Sequence, residues 1–171
     1  MKEKIKSQLV RLVGLKLQYA GRTSNLFWLG IGDLVKINRR GRIEETAEYA
    51  LHIQCSWRIT LGNKIIVASR DFYSPNSQWD EKNEDFDWDI KGNNRFDERI
   101  NTFIKDYGQI KVLQIDSDEV GGLNVTLSGN YKLEVFPDSS EDDEQNEHWR
   151  FFNRKENSPH FIVTGNGIEK V

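Results

Sequence analysis

Hydrophobic and polar positions alternate most cleanly between Tyr49 and Ile59. Tyr49, Leu51, Ile53, Cys55, Trp57 and Ile59 form one set, and Ala50, His52, Gln54, Ser56 and Arg58 the other. A period of two sends successive side chains to opposite faces, so this run predicts a strand with one face in the core and one in water. Gly62-Asn63 follows, a pair suited to a two-residue hairpin turn, and Lys64 to Phe72 returns with β-branched residues. Pairing about that turn sets Ile59 opposite Ile66, Trp57 opposite Ala68 and Gln54 opposite Asp71.

The remaining pattern supplies further elements. Ile5, Leu9, Leu12 and Val13 fit a helix face, while Val13, Leu15, Leu17 and Tyr19 alternate, which predicts a short N-terminal helix running into a strand. Gly21 to Ser24 reads as a turn, Asn25 to Ile31 as a second, aromatic-rich strand, with Gly30 marking a bulge or a close backbone approach, and Arg39 to Arg42 as a basic loop. Ser74 to Asn94 is a long irregular stretch. From Arg95 to Tyr107 the apolar residues Phe96, Ile100, Phe103, Ile104 and Tyr107 share one helical face. Asn94 can cap that helix, Asp97 and Glu98 suit its positive end, and Gly108 can stop it. Strands follow at Gln109–Ile115, Leu123–Leu127 and Tyr131–Phe136, then a final hairpin of His148–Asn153 and His160–Thr164. Most connections are short and run strand to strand. The predicted fold is one α+β domain of predominantly antiparallel β-sheet, with a central amphipathic helix at 95–107 and a short N-terminal helix.

Composition permits a core. Leu, Ile, Val and Phe make up 47 of the 171 residues, well above the roughly 20% below which chains tend to stay disordered. The single cysteine, Cys55, lies on the apolar face and reads as a small buried hydrophobe. No signal-peptide core or membrane-length apolar run interrupts the polar pattern, so a soluble, cytoplasmic protein with no membrane partner is expected. The net charge of −3 is unevenly spread: residues 1–42 carry 10 Lys and Arg against 2 acids, and the acids concentrate in Asp80–Asp89 and Asp138–Glu147. A basic N-terminal third containing Tyr19, Phe27 and Trp28 offers phosphate contacts and base stacking, but the overall acidity and inward-alternating aromatics argue against nucleic acid as the partner.

No motif commits the chain to catalysis. A glycine-rich phosphate loop and a nucleophile elbow are absent, and Asp116-Ser117-Asp118 fails as a calcium loop because Val120 and Leu127 stand where ligands belong. His148 and His160, facing each other across the last hairpin near Asp143 and Glu147, match no zinc spacing. No catalytic residue, metal or cofactor is therefore assigned. Two surfaces remain. Trp79, Asp80, Asp85, Asp87, Trp88 and Asp89 set aromatics among carboxylates: either the rings pin the loop to the core while the acids solvate it, or they act as anchors ringed by charge, as at many interfaces. The alternative surface is the polar face of the 49–73 hairpin, where His52, Arg58 and Asp71 could bind an anion or do acid-base work, or merely solvate the sheet.

The segment Leu51-His52-Ile53-Gln54-Cys55-Ser56-Trp57-Arg58-Ile59, followed by Ser69-Arg70-Asp71, resembles a pattern in small uncharacterised bacterial proteins. That resemblance implies no catalytic residues. In size and charge the chain also resembles, in type only, the immunity proteins of bacterial toxin systems. Together these likenesses imply a non-enzymatic interaction protein, an immunity-type inhibitor of a basic partner, with a small-molecule binder or enzyme at the hairpin as the alternative.

Overall fold

The alternation that opens the sequence runs through two strands in two different sheets. The structure, a computed structural model, describes all residues except 81, 83, 84, 106–108, 141–145 and 157, and leaves out the side chain of Lys170. Strand β3 (Arg42–Ile53) lies in a six-stranded sheet, and β4 (Ser56–Leu61) in a five-stranded one. The chain crosses at Gln54 and Cys55, whose N–H groups both donate to the His148 carbonyl, at 2.9 and 3.1 Å. Both inner faces look onto the same core, so the apolar set keeps its period across the crossing.

Every pairing is antiparallel. The larger sheet adds β1 (Leu17–Thr23), β2 (Leu26–Arg39), β9 (Glu147–Asn153), β10 (Phe161–Thr164) and β11 (Gly167–Lys170), in the order β1-β2-β3-β9-β10-β11. The smaller adds β5 (Lys64–Ala68), β6 (Val112–Ser117), β7 (Leu123–Leu127) and β8 (Tyr131–Phe136), in the order β5-β4-β8-β7-β6. Leu29, Ile31 and Leu51 from one sheet meet Ile59, Val125 and Leu133 from the other. At one end Phe27 stacks on Trp57 at 4.0 Å, and Phe72 and Phe96 close the aromatic group. The architecture is α+β.

Two helices close the sandwich. Helix α1 (Lys2–Leu9) buries Ile5 and Leu9 and packs against β6. Helix α2 (Arg95–Ile104) buries Phe96, Ile100 and Phe103, and covers the edge strands β1 and β5. Asn94 caps it by accepting the Asp97 N–H at 2.9 Å. The expected continuation to Tyr107 and the Gly108 stop lie outside the described residues.

The hairpin register differs from the sequence expectation. A bulge between Ile59 and Thr60 sets Ile59 opposite Val67 and Arg58, not Trp57, opposite Ala68. The slip carries Val67 into the core, where it is buried, and leaves Ile66 only half-covered. Residues Ser69–Tyr73 form a 3-10 turn instead of a strand, so Asp71 never comes opposite Gln54. The second strand also runs further than its pattern suggests. Beyond the reach of β1 and β9, residues 34–39 and 42–47 form a two-stranded arm closed by Arg40 and Gly41, both with positive φ. Leu34 and Ile43 are exposed there, because among the described residues no packed layer covers their side of the arm, and the burial alternation fades with it.

The outer face of the larger sheet is organised by rings resting on glycines. Tyr19 covers Gly30, and Trp28 covers Gly21; a Cβ at Gly30 would come within 2.1 Å of the Tyr19 ring. The close approach expected at Gly30 is thus a ring-on-backbone contact. Gly30→Ala should cost about 1–3 kcal/mol by forcing Tyr19 off its site, read as a lowered urea midpoint. An unchanged midpoint would contradict this packing.

Candidate functional site

The acidic, aromatic segment is fastened at its C-terminal half. Trp88 packs against the core edge-to-face with Tyr73, at 5.1 Å between ring centroids. Its carbonyl accepts the Asn94 side-chain amide at 2.9 Å, so one buried asparagine both caps α2 and holds the loop. Asp89 forms an ion pair with Arg22 at 3.4 Å. Trp79 meets Phe86 edge-on at 5.5 Å, and both rings are half-buried. Asp80, Asp85, Asp87 and Asp89 are exposed. The rings therefore fix the segment, while the exposed carboxylates of Asp80 and Asp87 accept the Lys82 and Asp89 N–H groups and Asp89 is held by Arg22. Glu81 and Glu84, from the same acidic run, lie outside the described residues.

Behind this segment a cleft of about 540 Å³ opens between β1, the loop and α2, with Asp89, Lys91, Asn76 and Gln78 on the loop side and Glu98 and Asn101 on the helix. Its floor holds a feature that sequence reasoning missed. Arg22 donates from Nε and Nη2 to the two oxygens of Asp97, each at 2.9 Å, and the side chains are only 6% and 12% exposed. The Asp97 bond is the largest influence raising the Arg22 guanidinium further above its usual value. Burial pushes the Asp97 carboxyl up, but the Arg22 hydrogen bond, the Gly92 N–H and the charges of Arg22 and Lys91 outweigh it, leaving Asp97 below the ordinary carboxylate range. Such a two-pronged pair ties the edge strand to helix and loop. The sequence signal was Ala20 and Arg22 at the inward spacing of β1, which a Gly21–Ser24 turn assignment conceals.

The alternative site residues are not brought together. His52 sits on the outer face of the larger sheet, opposite Trp28 on β2 and Arg150 on β9. Arg58 lies on the smaller sheet, donating to Glu134 at 2.6 Å. Asp71 accepts the Ala68 N–H within its 3-10 turn and stands 3.9 Å from Arg95. The crossing at Gln54 and Cys55 separates the three. The His52 ring lies 5.1 Å from Phe152, which stacks on His160 at 4.2 Å. Burial, then the charges of Arg154 and Arg150, lower the His52 pKa to about 4.

The two other histidines do not face each other, since β9 and β10 pair Phe161 with Phe151 and put His148 and His160 at opposite ends of the hairpin. Asp143 lies outside the described residues, and among those described no three His, Cys, Asp or Glu side chains are grouped to hold a metal. Cys55 is buried, and desolvation, helped by Asp138, pushes its thiol up to about 12. It has the environment of a core residue rather than a nucleophile.

Two stability measurements check these geometries. Asp97→Asn removes the closer, buried carboxylate from Arg22, leaving only exposed Asp89 at 3.4 Å, and should cost about 3 kcal/mol, seen in chemical denaturation; a cost near zero would contradict the buried pair. His52 titrates lower in the folded chain than its ordinary ~6.5, so the unfolded chain binds its proton first. Its contribution to stability is complete above pH ~6.5, is lost as the pH falls toward about 4, and changes no further below that. His148 and His160 are shifted the same way, mainly by burial, and add to the slope. His52→Gln should therefore lessen the loss of stability between pH 7 and 5, followed by urea midpoints, whereas an unaltered slope would contradict the assignment.

No protein-family model matches the chain, and comparison with curated proteins and with solved structures finds no match either.

Proposed function

We propose that this chain is a non-enzymatic bacterial interaction protein, of the immunity type, that captures a basic partner on the surface of Trp79, Asp80, Asp85, Asp87, Trp88 and Asp89. The observation that carries this reading is the division of labour within the segment. Trp88 on Tyr73 and Trp79 on Phe86 hold the backbone, while Asp85 and Asp87 stand exposed beside a cleft that Asp89 lines.

A fastened loop has less conformational freedom to lose on binding than a free one, and clustered carboxylates beside a concavity concentrate negative field where a partner's Lys or Arg would approach. Trp88 supports the surface from beneath instead of inserting into the partner, because its ring is already packed on Tyr73. Inhibition by such a protein is steric: it covers the partner's working surface.

Among the described residues no helix is long and apolar enough to cross a membrane, and the reading requires none. The test is affinity capture from the native host with wild-type protein and with Asp85→Asn/Asp87→Asn, two exposed positions whose change spares the Arg22 contacts. A basic protein should bind the wild type, with an association rate that falls as salt rises, and bind the double variant at least about tenfold more weakly, a loss of ~1.4 kcal/mol. Co-expression with that partner should protect growth. A partner indifferent to both charge and salt would contradict the proposal.

A further inference from the structure

The arm at 34–47 bends over the outer face of the larger sheet and encloses with it a second, open cleft of about 600 Å³. Trp28, His52 and Leu26 lie on the sheet side, Ile37 and Arg39 on the arm, and Arg154 between them. We propose that this cleft binds a small planar anion, an aromatic carboxylate of one or two rings, with its ring against Trp28 and His52 and its carboxylate on Arg154.

The argument begins with Arg154. Its Nη1 donates to the Tyr19 hydroxyl at 3.3 Å and to the carbonyls of Ala47 and Tyr49 at 3.1 and 3.4 Å, and its guanidinium stands 5.3 Å over the Phe152 ring. All these acceptors are neutral. Among the described residues no carboxylate lies within ion-pair distance of Arg154, and neither Nε nor Nη2 has a protein acceptor. A partly buried cation without a counter-ion is costly, yet this one is held in place by hydrogen bonds through a single nitrogen, leaving its other donors for an anion. Every other well-buried arginine described here has its acid: Arg22 has Asp97, and Arg150 has Glu147.

The surroundings favour an anion with a ring. Burial lowers the Arg154 guanidinium from its usual value; Tyr19 opposes this and the Arg39 charge adds to it. Glu44 and Glu45 also line the cleft from the arm: Glu44 is Arg39's exposed ion-pair partner at 3.8 Å, Glu45 lies opposite Lys36 in the strand register, and neither stands within ion-pair distance of Arg154. His52 is neutral through the physiological range, so it offers a ring face without adding charge. The Tyr19 and Trp28 rings meet edge-on at 5.7 Å and present an aromatic wall held by the two glycines beneath. The volume lies within the range of small-molecule sites, about 300–1,000 Å³.

This site is distinct from the acidic surface, and its test does not depend on the other. Purified full-length protein is titrated with benzoate, 1-naphthoate and their neutral amides, by calorimetry and by amide chemical shifts. At least one acid should bind saturably, about tenfold or more tighter than its amide, as expected for a charge-assisted bond, with shifts clustered at Trp28, His52 and Arg154. Arg154→Lys and Trp28→Phe should each weaken the acid severalfold, while Arg150→Lys, outside the cleft, should not. Because the acid-against-amide comparison uses the wild type, it decides the matter even if a variant fails to fold. Equal affinity of acid and amide, shifts elsewhere, or no saturation at about 10 mM ligand, far weaker than specific sites achieve, would overturn the proposal.

Discussion

The sandwich depends on a chain that changes sheets without losing its hydrophobic register. At Gln54 and Cys55 the backbone turns from one sheet into the other, and two amides that would be orphaned by leaving β3 are both satisfied by the His148 carbonyl. Leaving such groups unpaired near the core would cost on the order of 1–3 kcal/mol each. With them paired, Ile53, Cys55, Trp57 and Ile59 continue as one inward row serving two sheets. The larger sheet carries His52 and the arm outward, while the smaller turns Arg58 and Glu134 to the opposite side of the molecule. Which side chains can share a site follows from that crossing.

The second constraint is the open edge beside β1. An edge strand presents unpaired backbone groups, and here α2 and the loop before it cover that side. Asn94 and the Arg22–Asp97 pair join strand, helix and loop at one point, so the acidic segment is an extension of the core's fastening. Residues 85–94 are held in this way: the Trp88 ring, the buried Asn94 amide and the Asp89–Arg22 pair bond inward, and Asp85 and Asp87 stay exposed. The larger sheet's outer face follows another logic. Glycines at 21 and 30 admit Trp28 and Tyr19, and the Tyr19 hydroxyl accepts the Ala47 N–H at 2.7 Å, tying the arm's base to the sheet.

Much of the fold was legible because local rules and burial agree there. The α2 face, its Asn94 cap, the strand at Leu123–Leu127 and the buried Cys55 all follow from period and from capping chemistry. What was not legible depended on distant partners. Period two cannot distinguish one strand from two in facing sheets, so His52, Arg58 and Asp71 were grouped by a register that the crossing and the bulge undo. The arm is only partly covered, so the burial alternation that marks a strand weakens there to half-buried Val35 and Ile37 between exposed neighbours. Arg22 reads as a turn residue until Asp97, on α2, supplies its partner. Arg154, which has no ion-pair partner among the described residues, is similarly silent in sequence, because that is a property of the assembled face.

The crossing itself is open to direct observation by nuclear Overhauser contacts along the backbone from His52 to Arg58. Contacts from His52 to Trp28 and Arg150, from Arg58 to Glu134 and Ala68, and slow amide exchange at Gln54 and Cys55 are predicted. A contact between Gln54 and Asp71, with His52 and Arg58 on one continuous strand of a single hairpin, would contradict the two-sheet account.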